Sequence, residues 1–459
     1  MRKTLLAVLV LFLTIAGPAP ARAAEPNFDG YLREAFESTG LPGMSAVVTR
    51  GDQVVHASGF GRDSDGRAVT ADTPMRVASL SKSFTAAAVL TLVDEGRVAL
   101  DQPVVTYLPD FRMADARAAR ITVRQLLNQT SGLSDRTVDI GATQRAADLA
   151  GYLGALRPGR LAHDPGSRGE YCNVNFDVAA RLVEVVDGRG FGDALRERVF
   201  GPLGMSASSV GDEASPGFIS VYGAWVARAE LPGFRGGAGG VVTTAADLGR
   251  WLISQNGRGP RVLTPGSLAV QHQPGSGTDY AMGWGREVVD GRTLLVHSGN
   301  LFTYTAVQAV DPATGYGYAV LTNSASLHDD MYNVMLGLVA LGAGERPEAP
   351  GGERQKLELG LALTALVAAG LGVLGVLRSE RWARRRAGRS RWWTGIRLGG
   401  GLLPVVLLAT YPQGVSFLSN GRTVTWAQLT YFAAPLTITL AVAALAGLAT
   451  AVARLVRLR

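Results

Sequence analysis

Ser79-Leu80-Ser81-Lys82 sets a hydroxyl and an amine three residues apart. Residues 84–93 that follow are rich in alanine and leucine and hold no Gly or Pro, which predicts a helix beginning near Ser79. On a helix, positions i and i+3 share a face, so the amine comes within reach of the hydroxyl proton. The helix N-terminus also favours negative charge on an attacking oxygen. Arginine outnumbers lysine 42 to 3 in this chain. A guanidinium stays protonated, whereas a desolvated ammonium can lose its proton and serve as a base, so a lysine kept here asks for a chemical reason. Ser79 is the candidate nucleophile and Lys82 the candidate base. The plain structural reading is a serine that caps a helix, and neighbouring motifs decide between the two.

The elements that would position this pair lie on both sides of it. Residues 44–49 and 53–58 flank Arg50-Gly51-Asp52 and read as a β-hairpin, preceded by helical spacing over 28–38. Residues 281–289, 293–296, 303–310 and 317–321 read as strands, and 329–341 as a closing helix. The middle, from Ser79 to Trp251, reads as mostly helix and loop. Strands at both ends around a helical insert predict an α/β (α+β) domain with one antiparallel sheet completed by its two ends.

Beyond that domain the composition changes. Residues 1–24 have Arg2 and Lys3, an apolar run over 5–16 and Ala21-Arg22-Ala23, the pattern of a cleaved secretory signal peptide. Residues 345–356 form a polar linker with Pro347 and Pro350, and 357–459 carry three apolar segments, about 359–377, 396–414 and 429–452. Eleven basic residues lie between the first two segments, at the start of the second or after the third, against Arg422 alone in the loop over 411–428. That asymmetry predicts a multi-pass membrane protein with a cytoplasmic C-terminus and residues 25–344 outside the cell. The net charge of +7 divides into +11 over 353–459 and −4 elsewhere, so the basicity belongs to the membrane region and nucleic acid is not an expected partner. Cys172 is the only cysteine, which permits no intrachain disulfide.

Tyr171-Cys172-Asn173 follows a turn at Asp164-Pro165-Gly166, and His297-Ser298-Gly299 ends a predicted strand. With Ser79-Leu80-Ser81-Lys82 they resemble, in order and spacing over about residues 27–342, the three-motif signature of penicillin-recognising serine hydrolases. The wording is that of the class C β-lactamase, serine DD-carboxypeptidase and esterase branch, with Thr130-Ser131-Gly132-Leu133 among the supporting phrases. The resemblance implies a β-lactamase/transpeptidase-like fold and no metal or organic cofactor. It implies catalytic roles for Ser79, Lys82, Tyr171 and Asn173, with Tyr171 relaying a proton and Asn173 orienting both Lys82 and a substrate amide. His297, Ser298, Gly299 and Asn300 would face the substrate, the backbone N–H groups of Ser79 and Asn300 holding the oxyanion. Gly299 would let the strand backbone approach the substrate closely.

Relatives with lysine at position 297 present a fixed positive charge to a substrate carboxylate, which neutral imidazole does less strongly. Histidine there favours a carboxypeptidase, esterase or D-amino-acid peptidase over a specialised β-lactamase, with Arg235 a candidate replacement cation. His56, His163, His272 and His328 fall in no metal-ligand spacing and read as structural. Gln129 stands where many relatives have histidine and Cys172 where serine or alanine is usual, read as local packing and as a buried structural thiol. The expected substrates are D-Ala-D-Ala-type peptides or related small amides and esters of the cell wall. The competing readings are a class C-like β-lactamase and a non-catalytic sensor of β-lactams or wall fragments.

Overall fold

The computed structural model describes residues 26–458 apart from 212, 213, 387, 389, 420 and 421. The expected signal peptide, residues 1–24, lies outside them. Helix α1 (Phe28–Thr39) leads into strands β1 (Gly43–Arg50) and β2 (Gln53–Gly61), the hairpin expected around Gly51. Then follow α2 (Ser81–Asp94), α3 (Val174–Asp187), β3 (Gly217–Val221), β4 (Ala224–Arg228), β5 (Trp284–Val289), β6 (Arg292–Asn300), β7 (Thr305–Asp311), β8 (Tyr316–Thr322) and the closing helix α4 (Met331–Gly342).

The main sheet is antiparallel in the order β2-β1-β8-β7-β6-β5, with Tyr280–Ala281 added at the far edge. Because β1 pairs with β8, the two ends of the domain meet at the centre of the sheet. Both faces are covered, which is why β7 and β8 are buried at every position. Phe28, Tyr31 and Leu32 of α1 and Val334 and Leu338 of α4 pack on one face. The helical insert packs on the other, with α2 at its centre. Residues 81–92 of α2 are all buried, so its apolar residues run around the whole helix rather than along a stripe. The antiparallel sheet with a helical insert is the fold expected from sequence.

Two details of this domain go beyond the sequence reading. The middle, mostly helix and loop, also holds a hairpin of β3 and β4 that pairs in parallel with Ser324–Ala325. Its turn is Tyr222-Gly223, both with positive φ, a tight hairpin turn without the usual Asn or Asp. The strand expected over 281–289 is interrupted at Met282-Gly283. Gly283 has φ +85°, and a Cβ there would lie 2.5 Å from Ser83 Cα, so the chain must turn to pass α2.

Among the described residues two helices are long and apolar enough to cross a membrane, α5 (Glu353–Leu377) and α6 (Ala434–Leu458), with a bent pair as a possible third span. Thr439 Oγ1 donates to Leu361 O and Thr450 Oγ1 to Gly372 O, so α5 and α6 run parallel. Each expected segment shifts. The first begins at Glu353, taking in the end of the linker. The second, 396–414, is not one straight helix, because Gly395–Ala409 and Tyr411–Leu418 meet at 62° just before Pro412. The third, 429–452, is broken between Trp426–Phe432 and Ala434, with Pro435 in the first turn of α6.

The 345–356 segment is docked rather than a free spacer. Arg354 donates to Ser220 Oγ and Thr39 O, and Glu358 accepts from Ser220 Oγ. Both charged side chains are buried against the hydrolase domain, a position that requires such partners.

Candidate active site

Ser79 lies in a 3-10 turn, Ala78–Leu80, that feeds directly into α2. Ala78 has φ +47°, a conformation that costs a residue bearing a Cβ and is kept only where the surroundings hold it. Strand β6 supplies that hold. A Cβ on Gly299 would lie 2.2 Å from Val77 O and 3.2 Å from Ala78 Cβ, so only glycine lets β6 pack against the Ser79 turn. The close approach that Gly299 makes is therefore to this turn. Beyond it, Ser298 and Asn300 are exposed while His297 and Gly299 are buried, following the alternation of a strand.

Lys82, the second residue of α2 and one turn beyond Ser79, is fully buried. Its Nζ lies 2.9 Å from Ser79 Oγ and donates to Ala238 O at 2.7 Å. Tyr171 Oη lies 2.9 Å from the same Ser79 Oγ, and the Lys82 ammonium sits 4.9 Å from the Tyr171 ring centroid. Two groups able to carry a proton thus converge on one hydroxyl. Asn173 stands at the head of α3 with Oδ1 buried and, among the described residues, unpartnered. Lys82 makes no hydrogen bond to Asn173 Oδ1; two of its three ammonium donors go to Ser79 Oγ and Ala238 O. Asn173 keeps an acceptor in reserve beside the cleft.

His297 is buried, and both ring nitrogens are engaged. Nδ1 lies 2.7 Å from Ser298 O, a carbonyl that can only accept, so Nδ1 carries the proton. Nε2, 2.9 Å from Tyr280 Oη, then accepts from that hydroxyl. Burial and the Lys82 charge push the imidazole pKa down to about 3, so the ring is neutral and β6 offers no cation. Arg235, the other candidate, is half-buried on the segment before Gly236, with its carbonyl against Gly240. The remaining histidines have ordinary partners: His56 with Ser58, His163 with Glu170, His272 with Gln255 and His328 with Asp330.

Gln129, Asn175, Asp177, Tyr280 and Cys172 in this arrangement were not singled out as site residues. Gln129, with φ +58°, accepts from Cys172 N at 3.0 Å and from Asn175 Nδ2, while Asn175 Oδ1 accepts from Ser131 Oγ at 2.6 Å. Gln129 thereby does more than fill space, for it fixes the loop that carries Tyr171. Asp177 on α3 accepts from Ala238 N at 3.1 Å and so holds the carbonyl that receives Lys82. Burial pushes the Asp177 carboxyl up to about 6, against the pull of Ala238 N–H and Lys82. Tyr280 orients His297. The Cys172 thiol is wholly buried and donates to Asp135 Oδ1 at 3.1 Å; burial, then Asp135, hold its pKa well above the usual thiol value.

Residues 28–341 match the Beta-lactamase protein family. The chain belongs to that family. It is 34% identical over 334 residues to penicillin-binding protein 4 of Amycolatopsis lactamdurans, covering 65% of this chain and 86% of that protein. The octameric penicillin-binding protein homologue of Pyrococcus abyssi superposes with a TM-score of 0.61 at 23% identity, over 70% of this chain and 78% of that one. The D-amino acid amidase of Ochrobactrum anthropi superposes with a TM-score of 0.58 at 22% identity, over 69% of this chain and 98% of the other. These structural likenesses share the fold, and family membership makes the protein a serine hydrolase.

Proposed function

We propose that this member of the beta-lactamase family is a membrane-anchored hydrolase that works through an acyl-enzyme on Ser79 and acts on D-Ala-D-Ala-type peptides or related small amides and esters. The observation that carries the reading is Ser79 Oγ at 2.9 Å from both Lys82 Nζ and Tyr171 Oη. Lys82, neutral at that moment, takes the hydroxyl proton as Oγ attacks the carbonyl carbon. The oxyanion rests on the backbone N–H groups of Ser79 and Asn300, which the packing of Gly299 on the Ser79 turn keeps close. The bond to the leaving group breaks as that group receives a proton through Tyr171, and water then hydrolyses the ester on Ser79. Asn173 Oδ1, buried and unpartnered, suits a substrate amide N–H. Neutral His297 weighs against a site specialised for penicillins, and the shared fold with a D-amino acid amidase fits an amide substrate.

Residues 25–344 form the catalytic part on the outer side of the membrane, and 357–459 anchor it. The hydrolase domain contacts the starts of α5 and α6 through Glu358 and Thr439. The arginine-rich stretch packs at the opposite end, where Arg454 stacks on Trp382. This division supports an arginine-rich cytoplasmic side. The test is turnover by the full chain in detergent micelles of a diacetyl-L-Lys-D-Ala-D-Ala peptide, a p-nitrophenyl ester and a chromogenic cephalosporin. Peptide or ester hydrolysis with higher kcat/KM than the cephalosporin is expected. Fast cephalosporin turnover would make it a β-lactamase, and no turnover with no adduct would make it a binder.

A further inference from the structure

The segment joining the bent helix pair to α6 lies against the catalytic cleft. Residues 411–428 contain one charged side chain, Arg422. Its Nε lies 3.3 Å from Asp135 Oδ2, and its guanidinium carbon is 5.9 Å from the Tyr171 ring centroid. Tyr171 is the residue whose hydroxyl touches Ser79, so Arg422 stands one aromatic ring from the candidate nucleophile. Ser419 and Arg422 line two separate cavities. One, of about 400 Å³, is shared with Asp135, Glu170 and Tyr171. The other, of about 390 Å³, is shared with Asn300, Leu301 and Phe302 at the end of β6. Arg422 therefore borders both sides of the site, the second motif and the third.

This placement is fixed by contacts independent of Arg422. Tyr431 Oη donates to Ala229 O, Arg228 donates to Thr430 O, and Phe302 packs edge-on against Tyr431. The turn itself is closed by Val424 N on Ser416 Oγ and by the Thr425–Gln428 capping box. Arg422 is half exposed and lines both cavities, and among the described residues the hydrogen-bonding partner of its side chain is Asp135, met through Nε. The other charged or titratable groups facing this space are Asp135, Arg168 and the Arg136–Glu170 pair in the first cavity, and Asp329 with the His328–Asp330 pair in the second. Meanwhile β6, where relatives carry a lysine, presents a neutral imidazole with both nitrogens occupied.

We propose that Arg422, supplied by the membrane region, binds the carboxylate of the substrate, so that the catalytic site is completed by a loop between membrane helices. Guanidinium suits the task because its planar fork matches a carboxylate through two parallel hydrogen bonds. The proposal rests on the acyl-enzyme reading above and adds the substrate class, acyl compounds with a free carboxylate near the scissile bond. A consequence is that the hydrolase domain freed of residues 357–459 would keep its catalytic groups yet lose this preference.

The test uses the full chain in detergent micelles and two probes, an acyl-D-Ala-D-lactate depsipeptide with a free carboxylate and the same compound ending in a carboxamide. In Arg422→Ala the ratio of kcat/KM, carboxylate over carboxamide, should fall on the order of tenfold or more, with much of it restored in Arg422→Lys. An equal loss on both probes would reduce the loop to a passive wall and overturn the inference, and an unchanged ratio would overturn it as well. No turnover of either probe by the unsubstituted chain would overturn the acyl-enzyme reading together with the inference.

Discussion

Replacing Lys82 by arginine keeps a positive charge at the centre of the site and removes its capacity to act as a base. The structure sets the size of the two effects this should have. Lys82 is fully buried, with Nζ held between Ser79 Oγ and Ala238 O and closed in by the rings of Tyr171 and Phe176. A guanidinium is bulkier than an ammonium, and forcing it into this packed position should cost ~1–3 kcal/mol of stability. That is a modest loss for a domain of this size, and a folded variant is expected. The chemical effect should be larger. Loss of a positioned general base slows acylation by on the order of 10² to 10⁴. If Lys82 instead served only to hold Ala238 O and balance Asp177 by its charge, arginine would do much the same and acylation would fall by less than about tenfold. The assay is the single-turnover acylation rate with a fluorescent penicillin or slow ester, alongside a thermal melt to show that the variant is folded. A loss under tenfold in a folded protein would remove Lys82 from the catalytic residues.

Gly299→Ala should cost ~1–3 kcal/mol by overpacking against Val77 O and, by displacing the Ser79 turn, slow acylation by on the order of 10², read from a melt and from single-turnover kinetics. An unchanged rate would mean that β6 does not set the position of Ser79. Cys172 should stay unmodified by maleimide in the native protein and react only in denaturant, as its burial and raised pKa require; rapid native labelling would contradict the packing. His272 and His297 have folded pKa values lowered to about 4 and about 3 from an ordinary 6.5, so their contribution to stability is present above pH 6.5 and lost as pH falls toward those values. Asp177, raised to about 6, acts in the opposite sense, its contribution present below pH 3.8 and lost as pH rises through about 6. His272→Gln should therefore flatten the fall in denaturation free energy between pH 6 and 4.5 by up to ~1.4 kcal/mol per pH unit, and an unaltered slope would refute the assignment.

Much of this architecture is written in local sequence. The α2 helix, the β1–β2 hairpin, the strands after residue 280 and α4 follow from periodicity and turn residues, because their burial patterns repeat over several residues. Ser79 and Lys82 could be paired because both lie in one helical turn. Tyr171 and Asn173 were legible only through their wording beside that pair. What the sequence concealed depends on contacts across long separations. Gln129 reaches Cys172 and Asn175 through a left-handed backbone, and no spacing rule marks such a residue. Asp177 acts on Lys82 through the backbone of Ala238, two steps removed from the hydroxyl. The β3–β4 hairpin is short and turns on Tyr222-Gly223, outside the commonest turn pairs. Arg422 was noted only as the lone positive charge of a loop, since nothing in local sequence tells that the loop folds back on the catalytic face.

In the proposed mechanism acyl transfer passes through Ser79 and no other serine. The most direct measurement is intact and peptide-level mass spectrometry of the full chain trapped with a fluorescent penicillin or slow ester, for the unsubstituted protein and for Ser79→Ala and Ser81→Ala. A single adduct is expected on the peptide bearing Ser79, retained in Ser81→Ala and absent in Ser79→Ala. An adduct on Ser81, whose hydroxyl is buried and accepts from Val241 N, or turnover that survives in Ser79→Ala, would contradict it.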